Sequence, residues 1–237
     1  MLIRRLLVAF VVLVAASAPI SADTCARERA AMIDTIRAYA TSGPPIFDRV
    51  LQAMGETERH RLIPPTSCAD AYADRPLPIG HGQTISQPYI VALMTELASV
   101  KPDHVVLEIG TGSGYQAAVL ARLARKVCTV EIVAPLGEAA AAALKALGHD
   151  NVDARIGDGY RGSPECGPFD AIVVTAAIGH VPHPLIEQLR LGGRIVMPLG
   201  RASATQELSV VEKIALDRTT TRAVIPVRFV PFTGPQN

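Results

Sequence analysis

The sequence predicts an α/β fold built on a seven-stranded, mostly parallel sheet with helices on both faces. Three observations lead there. After Lys101, short apolar runs alternate with helix-patterned stretches; the first run breaks into closely spaced glycines and then a helix; and two strand-like runs close the chain without a helix between them. The chain has 237 residues, 49% of them hydrophobic and 19% charged, enough for one α/β core with a small appendage.

Residues 101–237 carry the core. Expected strands are 105–110, 127–132, 152–157, 170–176, 194–199, 208–215 and 222–231, and expected helices are 114–125, 134–147 and 183–191. The alanine-rich run Ala139 to Ala143 favours helix by composition alone. The last two strands are placed to form an edge hairpin. Ahead of the core, residues 23–100 form a helical region with a long loop. Ile33, Ile36 and Ala40 recur at helical spacing until Gly43-Pro44-Pro45 stops them, residues 55–82 read mostly as loop, and a helix spans Ser86 to Val100 with Ser86 as its cap and Pro88 in its first turn.

Residues 1–22 read as a secretory signal peptide. Arg4 and Arg5 precede an apolar run from Leu6 to Ala16, and Ile20-Ser21-Ala22 offers a small-residue cleavage point. The run is short for a bilayer span, so no stable membrane span is expected after cleavage. Cleavage takes the formal charge from +1 to −1, which gives no reason to expect a nucleic-acid partner. The expected location is periplasmic or secreted, or cytoplasmic if the leader is not functional. In an oxidising compartment Cys25 and Cys68 are the first candidates for a pair, while Cys128, inside an apolar strand, reads as a buried inert thiol.

The segment LEIGTGSGYQ (107–116) identifies the ligand class. A dinucleotide loop spaces its glycines G-x-G-x-x-G. Here Gly110 and Gly112 fit, but Tyr115 stands at the third position and Gly114 precedes it, and the carboxylate of Glu108 at the strand's end would repel a pyrophosphate. A ligand with an ammonium and no phosphate suits this loop, and S-adenosyl-L-methionine is one; its carboxylate could use the helix N-terminus near Gly114. Glu131 ends the second strand where an acid can hold ribose hydroxyls, as either ligand class would require. Asp158, in Gly157-Asp158-Gly159, can reach an adenine edge, although alone it would pass for an ordinary turn aspartate. Together the ordered set points to a Rossmann-like, S-adenosylmethionine-dependent methyltransferase.

The chain after about residue 70 resembles the protein-L-isoaspartate O-methyltransferase family. The matching segments are RPLPIGHGQTISQPYIVALMTEL (75–97), VLEIGTGSGYQAAVLARLA (106–124), GDGY (157–160), PFDAIVVTAA (168–177), LIEQLRLGGRIVMPLG (185–200) and VRFVPFT (227–233). The resemblance implies methyl transfer to the α-carboxylate of L-isoaspartyl residues in damaged proteins and peptides. The ester then closes to a succinimide that can reopen to normal aspartate, so the implied role is protein repair. It further implies that the Ser86 hydroxyl orients the acceptor carboxylate. Gln83, Thr84 and Ile85 would line the cofactor or accept peptide backbone, Thr233 would close over the cofactor, and Val227 to Phe232 would bind peptide. Thr111 and Gly159 complete the expected cofactor set. Two segments depart from the pattern: Ala176-Ala177-Ile178-Gly179-His180-Val181-Pro182 stands where relatives often carry Ala-Ala-Pro, and the N-terminal third matches poorly.

The alternatives are a methyltransferase for another small carboxylate or hydroxyl, an exported binding protein that kept the fold without turnover, and a nicotinamide-dependent oxidoreductase, which Glu108 and Tyr115 disfavour. No metal site is expected, because Pro182 lies between His180 and His183 and the other histidines are scattered.

Overall fold

Alternating apolar runs become a central sheet in the computed structural model, which describes residues 24–234. The N-terminal part contributes α1 (Ala26–Ala40), α2 (Asp48–Gly55), α3 (Cys68–Tyr72), the hairpin β1 (Leu77–Gly80) and β2 (Gln83–Ile85), and α4 (Pro88–Leu97). The core follows with β3 (Val105–Ile109), α5 (Tyr115–Ala121), β4 (Lys126–Glu131), α6 (Ala134–Ala146), β5 (Val152–Ile156), β6 (Phe169–Val174), α7 (His183–Gln188), β7 (Leu189–Leu199), β8 (Gln206–Ala215) and β9 (Arg218–Val227). The spatial order of the large sheet is β5-β4-β3-β6-β7-β8-β9; β3 to β7 pair in parallel, and β8 and β9 add the antiparallel edge hairpin.

This order fixes where ligands go. The chain runs outward from β3 to β5, then returns to place β6 on the other side of β3, and a crevice opens at the carboxyl ends where the direction reverses. All five residues of β3 are buried, as a central parallel strand covered on both faces requires. Val106 packs with Tyr115, Leu120 and the N-terminal helices on one face, and Leu107 packs with Phe169, Ile172 and Leu185 on the other. The hydrophobic cluster on the first face includes Ile36, Met54 and Leu93, so the N-terminal helices share one core with the sheet.

Several boundaries differ from the sequence reading, each for an identifiable reason. Residues 55–82, expected as loop, contain α3, β1 and a 3-10 turn at Arg59–Arg61; these pieces are too short to show a period. Helix α5 stops at Ala121 because Asn151 Nδ2 donates to the carbonyls of Ala121 (2.8 Å) and Ala124 (3.1 Å), satisfying its terminal acceptors. Strand β7 starts at Leu189 rather than at 194 and carries Gly192-Gly193 through an irregular register against β6. Ser86 does not cap α4. Gln87 occupies the N-cap position, and Asp74 Oδ1 accepts the Tyr89 N–H at 2.8 Å.

Cys25 and Cys68 are disulfide-bonded, with their Cα atoms 5.3 Å apart, tying α1 to α3. Cys128 corrects the expectation of an inert thiol: it is buried in β4 as expected but bonded to Cys166, Cα atoms 6.6 Å apart, because the loop before β6 runs back beside that strand. The proposed signal peptide lies outside the described residues. Among the described residues no helix is long and apolar enough to cross a membrane.

Candidate active site

Two cavities meet at the carboxyl end of the sheet. The first is lined by Gln83, Thr84, Ile109, Gly110, Gly112, Val130, Glu131, Ile132, Gly159, Thr175, Ala176 and residues 230–233; the second is lined by Thr84, Ser86, Gln87, Ile90, Thr175, Thr205 and the Pro226 to Val230 segment, with Pro76. Thr84, Thr175 and Val230 belong to both. The two cavities therefore adjoin at these three residues.

The glycine turn after β3 shapes the first cavity. Gly110 has φ +92°, and a Cβ there would collide with Thr175 Oγ1, whose hydroxyl binds the Gly110 carbonyl at 2.8 Å. Gly159 likewise has no room for a side chain, since a Cβ would collide with Ile109 Cγ2. Glu131 ends β4 and is 6% exposed. Its Oε2 accepts the Gly112 N–H at 2.8 Å and its Oε1 the Val133 N–H at 2.9 Å, so the carboxylate is fixed at the cavity wall with lone pairs left for a hydroxyl-bearing ligand. Asp158 Oδ1 accepts the Tyr160 N–H at 3.0 Å, while its Oδ2 is buried without a partner.

Five expected cofactor residues line neither cavity, and one of them is Asp158, which sits directly before the lining Gly159. Glu108 is fully buried on the helix-covered face of β3, beside α5, and lines neither cavity. Its Oε2 accepts a hydrogen bond from Thr129 at 2.5 Å, and Thr129 in turn is 2.6 Å from the Thr111 hydroxyl. Burial pushes the Glu108 carboxyl up to about 8, with the nearby Glu131 charge acting the same way and the Thr129 bond opposing, so the group is largely neutral at pH 7. The sequence argument that its charge turns away a pyrophosphate is therefore corrected: period-2 alternation sends Ile109, not Glu108, toward the cavity. Thr111 is buried in the same polar cluster, Ile85 is buried in the core, and Gly114, at φ +84°, abuts Leu144 on α6.

Ser86 stands between β2 and α4 with its hydroxyl free of any hydrogen bond among the described residues. Its carbonyl is held instead by Arg59, whose Nη2 donates to it at 2.9 Å, and the neighbouring Gln87 side chain donates from Nε2 to Asp74 Oδ2 at 2.7 Å. Arg228, exposed at the rim, supplies a cation to the second cavity. Among the residues that sequence reasoning missed are Ile109, Val130, Ile132, Thr175 and Ala176 in the first cavity and Arg59 behind Ser86. Thr175 and Ala176 lie in a quoted matching segment and Ile132 directly follows Glu131, but no local signal marks Arg59.

Phosphate-free chemistry fits the first cavity. Its lining carboxylate is that of Glu131, with no Lys or Arg among the lining residues, and beside the lining Gly159 the buried Asp158 Oδ2 lacks a donor, which the exocyclic amine of an adenine could supply. An open α/β sheet with this acidic, glycine-shaped crevice beside an acceptor cavity defines a Rossmann-like, S-adenosylmethionine-dependent methyltransferase. More narrowly, the chain belongs to the protein-L-isoaspartate(D-aspartate) O-methyltransferase family, whose model matches residues 27–237. It is 57% identical over 194 residues to protein-L-isoaspartate O-methyltransferase 2 of Polaromonas sp., covering 82% of this chain and 92% of the relative. It is 55% identical over 216 residues to protein-L-isoaspartate O-methyltransferase 1 of Nitrosospira multiformis, covering 91% of each chain. A solved structure named protein-L-isoaspartate O-methyltransferase superposes with a TM-score of 0.79 at 29% identity over 87% of this chain, which spans 66% of that structure's length. The same fold recurs, at TM-score 0.73 and 24% identity over 86% of this chain and 98% of the other, in a Plasmodium falciparum protein provisionally given that name and solved with S-adenosyl-L-homocysteine.

Proposed function

We propose that this chain transfers a methyl group to the α-carboxylate of L-isoaspartyl residues in aged proteins and peptides, and that it does so after export. The observation that carries the catalytic reading is that Thr84, Thr175 and Val230 border both an adenosyl-compatible cavity and one that presents a free serine hydroxyl, so that the two adjoin. S-adenosyl-L-methionine, when bound, supplies a methyl on a sulfonium with a neutral thioether as leaving group. Gln83, Thr84, Gly110, Gly112, Glu131, Gly159 and Thr233 would hold it, with Asp158 receiving the adenine amine.

The rest falls to the chain's own side chains. A carboxylate with an ordinary pKa near 4 is already ionised at neutral pH, so no general base is required. The Ser86 hydroxyl donates to one acceptor oxygen and leaves the other to attack. Arg228 favours an anionic peptide at the rim, and the apolar Ile90, Phe229 and Val230 help strip water from the carboxylate. Alignment of this kind accounts for a large part of such a barrier, on the order of 7–11 kcal/mol at best.

Export is supported by the basic-then-apolar run of residues 1–22 and by two disulfides, Cys25–Cys68 and Cys128–Cys166, of a kind that persists in oxidising compartments. Radiolabelled methyl transfer to matched isoaspartyl and aspartyl peptides tests the catalytic reading: label on the isoaspartyl peptide alone is expected, and equal label on both, or none, overturns it. Fractionation of cells expressing the full chain tests export, with recovery only in the cytosol as the contrary result.

A further inference from the structure

The largest side chain with no exposed surface is that of Arg59, a guanidinium with no carboxylate within ion-pair range among the described residues. A buried charge without a counter-ion is costly to keep, and removing its few partners costs more. What Arg59 touches is specific. Its Nε donates to the Ala71 carbonyl at 2.9 Å, its Nη2 donates to the Ser86 carbonyl at 2.9 Å, and its guanidinium lies 4.9 Å from the centre of the Tyr115 ring. Tyr115 is the first residue of α5, directly after the glycine turn. Burial lowers the Arg59 pKa to about 10, so the group stays charged at neutral pH. Its Nη1 has no hydrogen-bond partner.

We propose that Arg59 is a positioning residue for the methyl transfer, joining the backbone of Ser86 on the acceptor side to the helix that follows the cofactor turn. The inference rests on the proposed role of Ser86. A rigid planar fork suits this task, because it can hold the Ala71 and Ser86 carbonyls at once and still lie on an aromatic face; a lysine ammonium meets fewer of these demands. With the fork in place, the free Ser86 hydroxyl keeps a fixed bearing on the residues that border both cavities. Without it, the Ser86 carbonyl loses its arginine anchor, and small displacements of an orienting group can cost on the order of 100-fold in rate.

The test compares Arg59→Lys and Arg59→Met with the wild type. Hydrogen exchange is expected to rise at least about tenfold for peptides covering residues 83–89 in both variants, with β3 and β6 unchanged. In steady-state assays on an isoaspartyl peptide, kcat normalised to sites that bind S-adenosyl-L-homocysteine is expected to fall at least about tenfold, and the peptide KM to rise, while the S-adenosyl-L-homocysteine Kd stays within about twofold. A merely structural role would lower the number of binding sites and leave normalised kcat and peptide KM alone. Unchanged exchange at 83–89, or a fully active Arg59→Lys enzyme, overturns the inference. An inactive wild type would instead overturn the methyltransferase reading, and the exchange measurement would still decide what Arg59 holds. If neither Arg59 variant folds, Tyr115→Leu removes only the aromatic face and is expected to raise exchange at 83–89 to a lesser extent; no rise would again count against the inference.

Discussion

The two cavities of the active site are made by different means. The cofactor side consists mainly of backbone: a glycine turn after β3, the end of β4 and the Asp158 turn after β5, all set by one parallel sheet. The acceptor side consists of side chains gathered from the β1–β2 hairpin, the start of α4 and the exit of β9, and its key residue is held from behind by an arginine 27 positions away in the chain. Geometry on the first side follows from the sheet and should tolerate little change in glycine placement. On the second it depends on a few long-range bonds, so single substitutions there should separate rate from cofactor affinity.

The sharpest break of this comparison is Ser86→Ala. Ser86 Oγ makes no structural hydrogen bond among the described residues, so its loss should leave the fold and the S-adenosyl-L-homocysteine Kd nearly unchanged while lowering kcat/KM for an isoaspartyl peptide by about 100-fold. A parallel loss of cofactor affinity would mean the two sides are not separable. Glu131→Gln attacks the other side. The carboxylate accepts two backbone N–H groups, and an amide would turn a donor toward either Gly112 or Val133. The expected result is a rise in S-adenosylmethionine KM of roughly 10- to 30-fold, the equivalent of about 1.5–2 kcal/mol, with peptide KM little altered. Equal changes in both KM values would count against the division.

A smaller effect is expected from Asp158→Asn. Oδ1 can continue to accept the Tyr160 N–H, but the buried Oδ2 is replaced by a donor facing where the adenine amine would lie. Cofactor affinity should fall about 3- to 10-fold, near 1 kcal/mol, measurable by calorimetry with S-adenosyl-L-homocysteine. No change would remove Asp158 from the adenine site.

How much of this was legible in the sequence differs along the same line. The glycine turn, Glu131 and the Asp158 turn could be read because each lies at a strand end, and strand ends follow from short apolar runs. Ser86 was found through the resemblance of its surrounding segment, while the local reading of it as a helix cap failed because Asp74, twelve residues earlier, supplies the carboxylate that accepts the Tyr89 N–H. Arg59 was invisible: among the nearby charges of Glu58 and Arg61 it looks like surface, and only the packed fold makes it the one drawn fully inside. The Cys128–Cys166 bond was hidden for a similar reason, since burial of Cys128 follows from its strand but its partner follows from a loop 38 residues on.

Glu108 offers the finest test, because it was assigned to the cofactor side by sequence and belongs to neither cavity. Glu108→Gln should leave methyl transfer at neutral pH within about twofold of the wild type, since the native carboxyl is already largely protonated. Its signature is in stability. The folded carboxyl titrates near 8 against an ordinary value of 4.5, so between those pH values the folded chain keeps a proton that the unfolded chain has lost. That contribution is present in full below about 4.5 and disappears as pH rises through about 8, with a slope of up to about 1.4 kcal/mol per pH unit. Glutamine cannot titrate, so the Tm of the variant relative to the wild type should climb from pH 5 to pH 9. Parallel Tm curves would show that Glu108 ionises in the folded protein much as it does outside it, and would return its charge to the account of how the neighbouring turn chooses its ligand.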